Sequence, residues 1–246
     1  MAKTPKVVIV MPAYNAARTI KKTMADIPKN LAAQIIVVDD GSTDETVAVA
    51  KKLKLSVFEH PANLGYGGNQ KTCYWEALKK KPDVVVMLHP DYQYDASLIG
   101  ELIRPILAGR YDVMFGSRIR TRQEVLAGGM PLHKYLLNRL LTPVENIILG
   151  VNFSEHLSGF RAYSLKALQT IPFQRFSNDF VFDQQFMAAA VARGLRVGET
   201  AVPVRYYHDS SSIQLIKGGK FLGETFLTLL LFLLDRWGLV RSKLFH

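Results

Sequence analysis

The chain predicts an α/β protein with a mostly parallel central sheet flanked by helices. Apolar runs rich in β-branched residues, typical of strands covered on both faces, occur at residues 7–11, 34–38 and 84–88. Segments of helical character alternate with these runs, which is the order expected of a doubly wound sheet. With 246 residues, 48% of them hydrophobic, the chain can bury a substantial core. We therefore expect one α/β domain over residues 1–212 and a C-terminal apolar helix within residues 213–246.

The bounds of the individual strands and helices are predicted from the positions of Gly, Pro, Asp and Asn, which favour turns. Strands are predicted over residues 6–11, 34–38, 56–59, 84–88, 111–115 and 195–199, with an extended piece over 203–207. Helices are predicted over residues 17–26, from the glycine-rich loop to about residue 80, and over 96–107, 130–149, 182–193 and 221–234. Pro143 predicts a kink or break in its helix. Ser42 or Thr43 is expected to cap the helix after the second strand.

Charge and cysteine content narrow the class of protein. The 31 Lys and Arg residues exceed the 21 Asp and Glu residues, and the net charge of +10 favours an anionic partner such as nucleic acid, a phosphorylated metabolite or an anionic membrane. The single cysteine, Cys73, excludes an internal disulfide and fits a reducing compartment. The N-terminal residues contain no apolar signal segment, so secretion is not expected. No nucleic-acid-binding motif is present, and nucleic acid is not expected as a partner.

The end of the fourth strand carries the first candidate for chemistry. Residues 84–93 read V-V-V-M-L-H-P-D-Y-Q, so an apolar strand stops at His89 and is followed by Asp91. Ligands of open α/β sheets bind in the crevice at the carboxyl ends of the strands, which is where Asp91 is expected to lie. Asp91 is therefore a candidate ligand residue. The alternative is that Pro90 and Asp91 form a turn and cap the next helix.

Two further loops contain candidates for nucleotide binding. The second strand ends in Asp39 and Asp40, and capping of the next helix does not require these two carboxylates before the glycine. After the third strand, the loop H-P-A-N-L-G-Y-G-G-N places glycines at a helix start, where a backbone can approach a phosphate closely. The alternatives are a turn for the aspartates and a plain glycine-rich turn for the loop.

Arginines and two apolar helices complete the candidate features. Arg118, Arg120 and Arg122 alternate after the fifth strand and suit phosphate binding, the alternative being a solvated edge. The apolar helix over 130–149 is expected to pack on the sheet or to touch lipid. The helix over 221–234 is too short to span a bilayer and has basic flanks and Trp237. We expect it to lie at a membrane interface or to dock on the domain or a second subunit.

Together these segments resemble the inverting family-two glycosyltransferases of the GT-A fold, especially the dolichol- and polyprenyl-phosphate sugar synthases. The match covers residues 7–207. It rests on the segments V-I-V-M-P-A-Y-N, I-I-V-V-D-D-G-S-T-D-E-T, N-L-G-Y-G-G-N, H-P-D-Y-Q, G-S-R and S-G-F-R-A-Y-S. The resemblance implies that the nucleotide is bound by residues at the ends of the first two strands and in the glycine loop, namely Pro12, Ala13, Tyr14, Asp39, Asp40, Gly65 and Gly67.

The resemblance also implies a divalent metal, Mg²⁺ or Mn²⁺, held by Asp91 and bridging the donor diphosphate, with His89 and Gln93 as further candidate ligands. The family usually has Asp-x-Asp where this chain has His89-Pro90-Asp91, and imidazole suits Mn²⁺ better than Mg²⁺. Near residue 205 the family carries a basic residue for the lipid phosphate. Arg205 or His208 is expected to fill that role here.

The implied activity is that of an inverting, hexosyltransferase-type enzyme, with a UDP- or GDP-sugar as donor and a polyprenyl or dolichyl phosphate as acceptor. It would act as a peripheral protein on the cytoplasmic face of the membrane. A lipid phosphate is already anionic, so its attack needs positioning more than a base, and Arg118, Arg120, Arg122 and Arg205 are expected to hold it.

Two other functions and one assembly state are left open by the sequence. A sugar or protein hydroxyl as acceptor would need a carboxylate base, for which Asp183 or Glu155 is the candidate. A non-catalytic basic scaffold is the alternative from another class of protein. A homodimer is also possible.

Overall fold

The computed structural model describes residues 4–31, 33–119, 121–203 and 215–246. Arg120, Arg205 and His208, most of the predicted extended piece over 203–207 and the domain boundary at residue 212 lie outside these ranges. The division into two units therefore stays a prediction.

The described residues form an α/β fold around a seven-stranded, mostly parallel sheet, as predicted. The strand order is β3-β2-β1-β4-β6-β5-β7. Only β6 runs antiparallel, and it lies between β4 and β5. The strands are β1 (Val7–Ala13), β2 (Ala33–Asp39), β3 (Ser56–Glu59), β4 (Val84–Met87), β5 (Val113–Ser117), β6 (Arg161–Ser164) and β7 (Val197–Ala201).

Helices cover both faces of this sheet. They are α1 (Ile20–Ala25), α2 (Thr46–Lys52), α3 (Tyr66–Leu78), α4 (Ile99–Leu107), α5 (Arg122–Ala127), α6 (Leu132–Leu149), α7 (Leu165–Thr170), α8 (Phe182–Ala192) and α9 (Leu215–Arg236), with 3-10 turns at Ala96–Leu98 and Phe173–Arg175. No helix in the described part of the chain has the length and apolar character needed to cross a membrane.

Alternation along the strands explains the two layers of core. On β1, Val8 and Val10 belong to one buried cluster, whereas Val7 and Ile9 belong to the cluster on the other face. The first cluster includes Cys73, whose pKa is raised well above its usual value by burial. Because both faces are covered, the strands read as continuous apolar runs.

Two local predictions were wrong in whole or in part. The predicted break at Pro143 does not occur, since α6 continues to Leu149, and the alternative of a kink stays a prediction. Pro143 lies on the exposed side, where a carbonyl that loses its N–H partner can bond water. The second error concerns capping: α2 begins after Glu45, and Ser42 instead donates its hydroxyl to Asp39. The carboxylate of Asp44 accepts from the backbone N–H of Thr46 at 3.0 Å and so serves the start of α2.

Candidate active site

The carboxyl ends of β1, β2 and β4 meet at one edge of the sheet, because these strands are parallel neighbours. Pro12 and Ala13 are the last residues of β1, and Tyr14 follows them with its side chain exposed. The loops after β1 and β2 are joined by Asn15, whose side chain accepts from the N–H of Thr43 at 2.9 Å. This edge therefore has a fixed backbone framework.

Asp40 organises the loop that follows β3. Its carboxylate accepts hydrogen bonds from the N–H groups of Leu64 and Gly65 at 2.9 and 3.1 Å and lies 2.7 Å from Nδ1 of His60. Asp39 is also buried, and it accepts from the backbone and hydroxyl of Ser42. Both carboxylates thus support the backbone at the predicted nucleotide site.

The structure explains why the next loop needs glycines, which the sequence alone did not. Gly65 has φ +87°, and a Cβ placed there would lie 2.6 Å from the carbonyl oxygen of Asn178. The N–H of Gly67 donates to that same oxygen at 2.8 Å. The glycines allow close approach of the backbone at residues 177–178. A contact between Gly65 or Gly67 and a nucleotide stays a prediction.

Asp91 lies in the loop after β4 at the mouth of a cavity. Its carboxylate accepts from the N–H of Gln93 at 3.1 Å, and Tyr92 between them has φ +61°. Left-handed backbone is uncommon for a tyrosine, and such strain is concentrated at functional sites. The side chain of Gln93 is buried, and no described residue accepts from its Nε2.

A chain of polar contacts crosses the inner wall of this cavity. The hydroxyl of Tyr66 donates to Oδ2 of Asp183 at 2.6 Å. Since its one proton is used there, the Tyr66 oxygen is left to accept from Nε2 of His89 at 3.3 Å. Gly159 makes room for this imidazole, because a Cβ at that position would lie 2.9 Å from the same nitrogen.

The pKa values along this wall follow from burial and from the nearby charges. Burial, reinforced by the charge of Asp183, raises the pKa of Tyr66 well above its usual value. Burial lowers the pKa of His89, although Asp91 and Asp183 oppose this effect. His89 is therefore neutral at physiological pH. Arg161 lies behind the wall, is 1% exposed and has an Nη1 atom 3.8 Å from Oδ1 of Asp183.

The cavity itself measures about 370 Å³ and combines polar and apolar walls. Its polar residues include five that the sequence singled out, which are His89, Asp91, Gln93, Arg118 and Asp183. Its apolar residues come largely from α6, α9 and the segments between elements, and they include Met130, Leu137, Leu157, Phe180, Phe221 and Leu222. A ligand with a charged head and an apolar tail matches this composition.

Arg118 is held in place by a buried carboxylate. Its guanidinium contacts Glu155, with Nη2 to Oε2 at 2.6 Å, and also donates to the carbonyl of Leu157 at 2.9 Å. Asn138 of α6 donates to the same carboxylate at 3.0 Å. Glu155 is fully buried, so the prediction of Glu155 as a catalytic base was wrong. Its oxygens are engaged by a guanidinium and an amide, and Glu155 does not line the cavity where an acceptor would bind.

The predicted arginine cluster is only partly assembled. Arg122 is the exposed first residue of α5 and does not line the cavity, because Thr121 caps a helix where a loop was expected. The sequence missed His133 and Lys134, which α6 brings to the cavity beside Arg118. Burial and the charge of Arg118 lower the pKa of Lys134. A basic pair at the start of an apolar helix was the signal that could have revealed them.

The residues around Asp91 fit a metal that is shared with a bound diphosphate. The described residues contain no group of three or more His, Cys, Asp or Glu side chains placed to hold a metal ion alone. Mg²⁺ commonly uses one or two carboxylates together with phosphate oxygens and water, so Asp91 with a donor diphosphate matches that mode. Because Nε2 of His89 donates to Tyr66, Nδ1 is the nitrogen through which His89 could act as a ligand.

The fold and this site define a glycosyltransferase of the GT-A type. Residues 8–171 match glycosyl transferase family 2, and the chain belongs to that family. The chain is 31% identical over 219 residues to the uncharacterized protein MJ1222 of Methanocaldococcus jannaschii, covering 88% of this chain and 89% of that protein. It is 27% identical to the UDP-N-acetylglucosamine–dolichyl-phosphate N-acetylglucosaminyltransferase of Methanococcus voltae, covering 80% of this chain and 85% of that enzyme.

Solved structures confirm the fold. Glucosyl-3-phosphoglycerate synthase from Mycobacterium tuberculosis, in complex with phosphoglyceric acid, superposes with a TM-score of 0.72 at 22% identity, covering 93% of this chain and 80% of that chain. The same enzyme with Mn²⁺, uridine diphosphate and phosphoglyceric acid gives a TM-score of 0.71 at 19% identity, covering 93% and 78%. The chain is therefore an enzyme of the glycosyltransferase class with the predicted architecture.

Proposed function

We propose that this glycosyltransferase moves a sugar, with inversion, from a UDP- or GDP-sugar to a polyprenyl or dolichyl phosphate at the cytoplasmic face of a membrane. The observation that carries the proposal is the mixed cavity beside Asp91. Arg118 and Lys134 supply positive charge at one wall, His133 lies beside them, and α6 and α9 supply apolar walls. A lipid phosphate has the same two parts. The named activity of the Methanococcus voltae relative supports the same acceptor class.

The donor is proposed to lie across three strand ends. Pro12, Ala13, Tyr14, Asp39 and Asp40 lie at the ends of β1 and β2, outside the cavity, and would bind the nucleotide. Because β1 lies between β2 and β4, the diphosphate would reach Asp91 and the sugar would enter the cavity. Asp91 would hold a Mg²⁺ or Mn²⁺ ion, with Gln93 and His89 nearby. The ion would neutralise charge developing on the leaving diphosphate.

The contacts of Asp183 favour an acceptor that brings its own negative charge. Both carboxylate oxygens already accept hydrogen bonds, from Tyr66 at 2.6 Å and from Gln70 at 3.3 Å. Both oxygens of Asp183 are thus already engaged within the protein, and a hydroxyl acceptor would have to displace one of these partners before Asp183 could take its proton. A phosphate oxygen attacks the anomeric carbon without giving up a proton. Arg118 and Lys134 would then orient the acceptor phosphate.

Product analysis tests this proposal directly. Purified protein is incubated with radiolabelled UDP-N-acetylglucosamine, UDP-glucose or GDP-mannose, with Mn²⁺, and with both a short-chain polyprenyl phosphate and a soluble glycan or protein acceptor. We expect a charged glycolipid that extracts into organic solvent, with anomeric configuration opposite to that of the donor. Label that appears only in water-soluble glycan or protein would favour the hydroxyl acceptor with Asp183 as its base. Absence of transfer from every donor to either acceptor would contradict the proposal.

A further inference from the structure

Helix α6 places polar side chains towards the protein and apolar side chains outwards, which is the reverse of an ordinary surface helix. The side that faces the protein buries Asn138, Thr142 and Glu145 together with Leu141 and Leu149. The side that faces outward is mostly apolar, and its exposed apolar residues are Leu132, Leu136, Leu137, Leu140, Val144 and Ile147. Leu140 is 71% exposed and Ile147 is 81% exposed. Surface helices normally place their apolar residues towards the core.

The exposed residues form one continuous stripe. Leu132, Leu136, Leu140 and Ile147 are separated by four, four and seven residues, and the exposed Pro143 fills the last interval. These intervals return to the same side of a helix. Scattered surface leucines need no explanation, but an apolar patch of this extent indicates a binding surface.

Helix α9 extends the stripe sideways. It packs against α6 and leaves Phe226, Leu227 and Leu230 exposed. Near its end, Trp237 is 64% exposed. Tryptophan is enriched where a protein meets the headgroup level of a bilayer. We call the six α6 residues and these three α9 residues the apolar face.

Charge at both ends of the apolar face selects its occupant. Lys134 and Arg139 lie along α6, whereas Arg236 and Arg241 lie at or beyond the end of α9. Arg236 reaches the far end of α6, since its Nη1 atom would lie 3.6 Å from a Cβ at Gly150. Basic residues beside an apolar surface attract anionic headgroups. A second copy of the chain, docked through the same face by two-fold symmetry, would bring these cations together.

The apolar face also runs into the cavity of the site. Leu137 is exposed on α6 and lines the cavity, and Phe221 and Leu222 of α9 line it from the other side. A lipid whose phosphate lies beside Arg118 could therefore extend its chain past Leu137, Phe221 and Leu222 towards the apolar face. Leu137 belongs to both the cavity and the apolar face.

We infer that the apolar face of α6 and α9 docks onto the surface of an anionic lipid bilayer and delivers membrane-borne acceptor to the cavity. The delivery of acceptor rests on the proposed function. The docking itself is tested separately from transfer.

Co-sedimentation with lipid vesicles tests the docking. The wild-type protein and the variant Leu140→Ser with Ile147→Ser are mixed with phosphatidylcholine vesicles, with or without phosphatidylglycerol. We expect the wild type to bind the anionic vesicles, and salt to weaken that binding. The double variant should bind at least about 10-fold more weakly, because two exposed side chains lose their burial in lipid. The matched control is Trp75→Ser with Leu107→Ser, which alters exposed apolar residues on α3 and α4 and should bind as the wild type does.

Transfer to a water-soluble short-chain polyprenyl phosphate separates the two proposals. If the double variant keeps this activity but loses vesicle binding, the docking inference is supported. Unchanged vesicle binding by the double variant would overturn it. So would a wild-type dimer that does not bind vesicles and that the serine substitutions dissociate, because the face would then bind a second copy. A wild type that binds vesicles but transfers no sugar contradicts the proposed function alone.

Discussion

The hydroxyl of Tyr66 lies 2.6 Å from Oδ2 of Asp183, across 117 positions of the sequence. This contact joins the first residue of α3 to the start of α8 and closes the inner wall of the cavity. The ring of Tyr66 is parallel to that of His89, with centroids 5.4 Å apart, and also stacks on Phe180 at 4.9 Å. Tyr66 thus holds Asp183, His89 and Phe180 together at the wall of the cavity.

We expect Tyr66→Phe to lower kcat about 10-fold to 100-fold while KM for the donor changes little. Phenylalanine keeps both ring contacts but removes a hydrogen bond to a charged group, which is worth about 1.5–3 kcal/mol. Steady-state kinetics with a varied donor measure this effect. Tyr111→Phe, which alters an exposed tyrosine, is the control and should behave as wild type. A rise in KM with unchanged kcat would place Tyr66 in donor binding.

Asp91→Asn should abolish the stimulation of donor binding by Mn²⁺. The amide is nearly isosteric but lacks the negative charge that a hard divalent cation requires. Calorimetric titration of UDP with and without Mn²⁺ measures the difference. Asp95→Asn is a matched control, because Asp95 caps the turn at Ala96–Leu98, asparagine caps equally well, and Asp95 does not line the cavity. Metal stimulation that survives in the Asp91 variant would assign the ion to other residues.

Gln93 and Gln184 are expected to recognise the donor sugar by donating hydrogen bonds to it. Both are buried and line the cavity, and no described residue accepts a hydrogen bond from the Nε2 of either one. The last torsion of glutamine is soft, so each amide can turn towards a ligand. In Gln93→Met or Gln184→Met, the nucleotide-sugar should lose affinity relative to free UDP, by about 10-fold. Thermal shift with UDP and UDP-glucose compares the two, and Gln169→Met on the exposed side of α7 is the control.

Arg118→Met should destabilise the fold by about 3–5 kcal/mol, because it leaves Glu155 buried and unpaired. The double variant Arg118→Met with Glu155→Leu should recover much of that loss. Urea denaturation of the wild type and the two variants measures the free energies. If the single variant is as stable as the wild type, Arg118 is available for the acceptor phosphate without a structural role.

Glu145 makes stability fall as the pH rises. Burial raises the pKa of Glu145 from 4.5 to about 8. Between these values the folded chain keeps a proton that the unfolded chain has lost, so the free energy of unfolding decreases. Glu145→Gln imitates the protonated side chain and should remove this loss, with a gain of roughly 2–5 kcal/mol at pH 8 and little change at pH 4. Thermal unfolding from pH 4 to pH 9 tests it, and equal slopes for both proteins would contradict it.

The strands were predictable because a parallel sheet covered on both faces requires continuous apolar runs. The predicted bounds of β1, β2, β3, β4, β5 and β7 agree with the structure to within two residues. The sequence did not reveal β6, since it has only four residues and begins with Arg161, a residue type expected at the surface. Its antiparallel direction is set by pairing with β4 and β5, which no local pattern records.

Site residues at the end of a strand could be predicted from the sequence. Site residues whose roles depend on contacts between parts of the chain far apart in sequence could not. Asp91 follows an apolar run, so its position at the sheet edge could be inferred from periodicity. Tyr66 and Arg161 acquire their roles only through Asp183, which is far from both in sequence. The positions of His133 and Lys134 depend on which side of α6 faces the cavity. The usual rule that a surface helix turns its apolar side inward does not hold for α6, so these positions could not be predicted.

The antiparallel strand β6 also affects how the chain folds during its synthesis. β4 pairs with β1 on one side and with β6 on the other, and β6 begins 74 positions after β4 ends. During synthesis, therefore, the V-V-V-M edge of β4 stays without its second partner until residues 161–164 have left the ribosome. An unpaired apolar edge is a template for aggregation. The nascent chain thus passes through a long interval in which this edge is open to pairing with another chain.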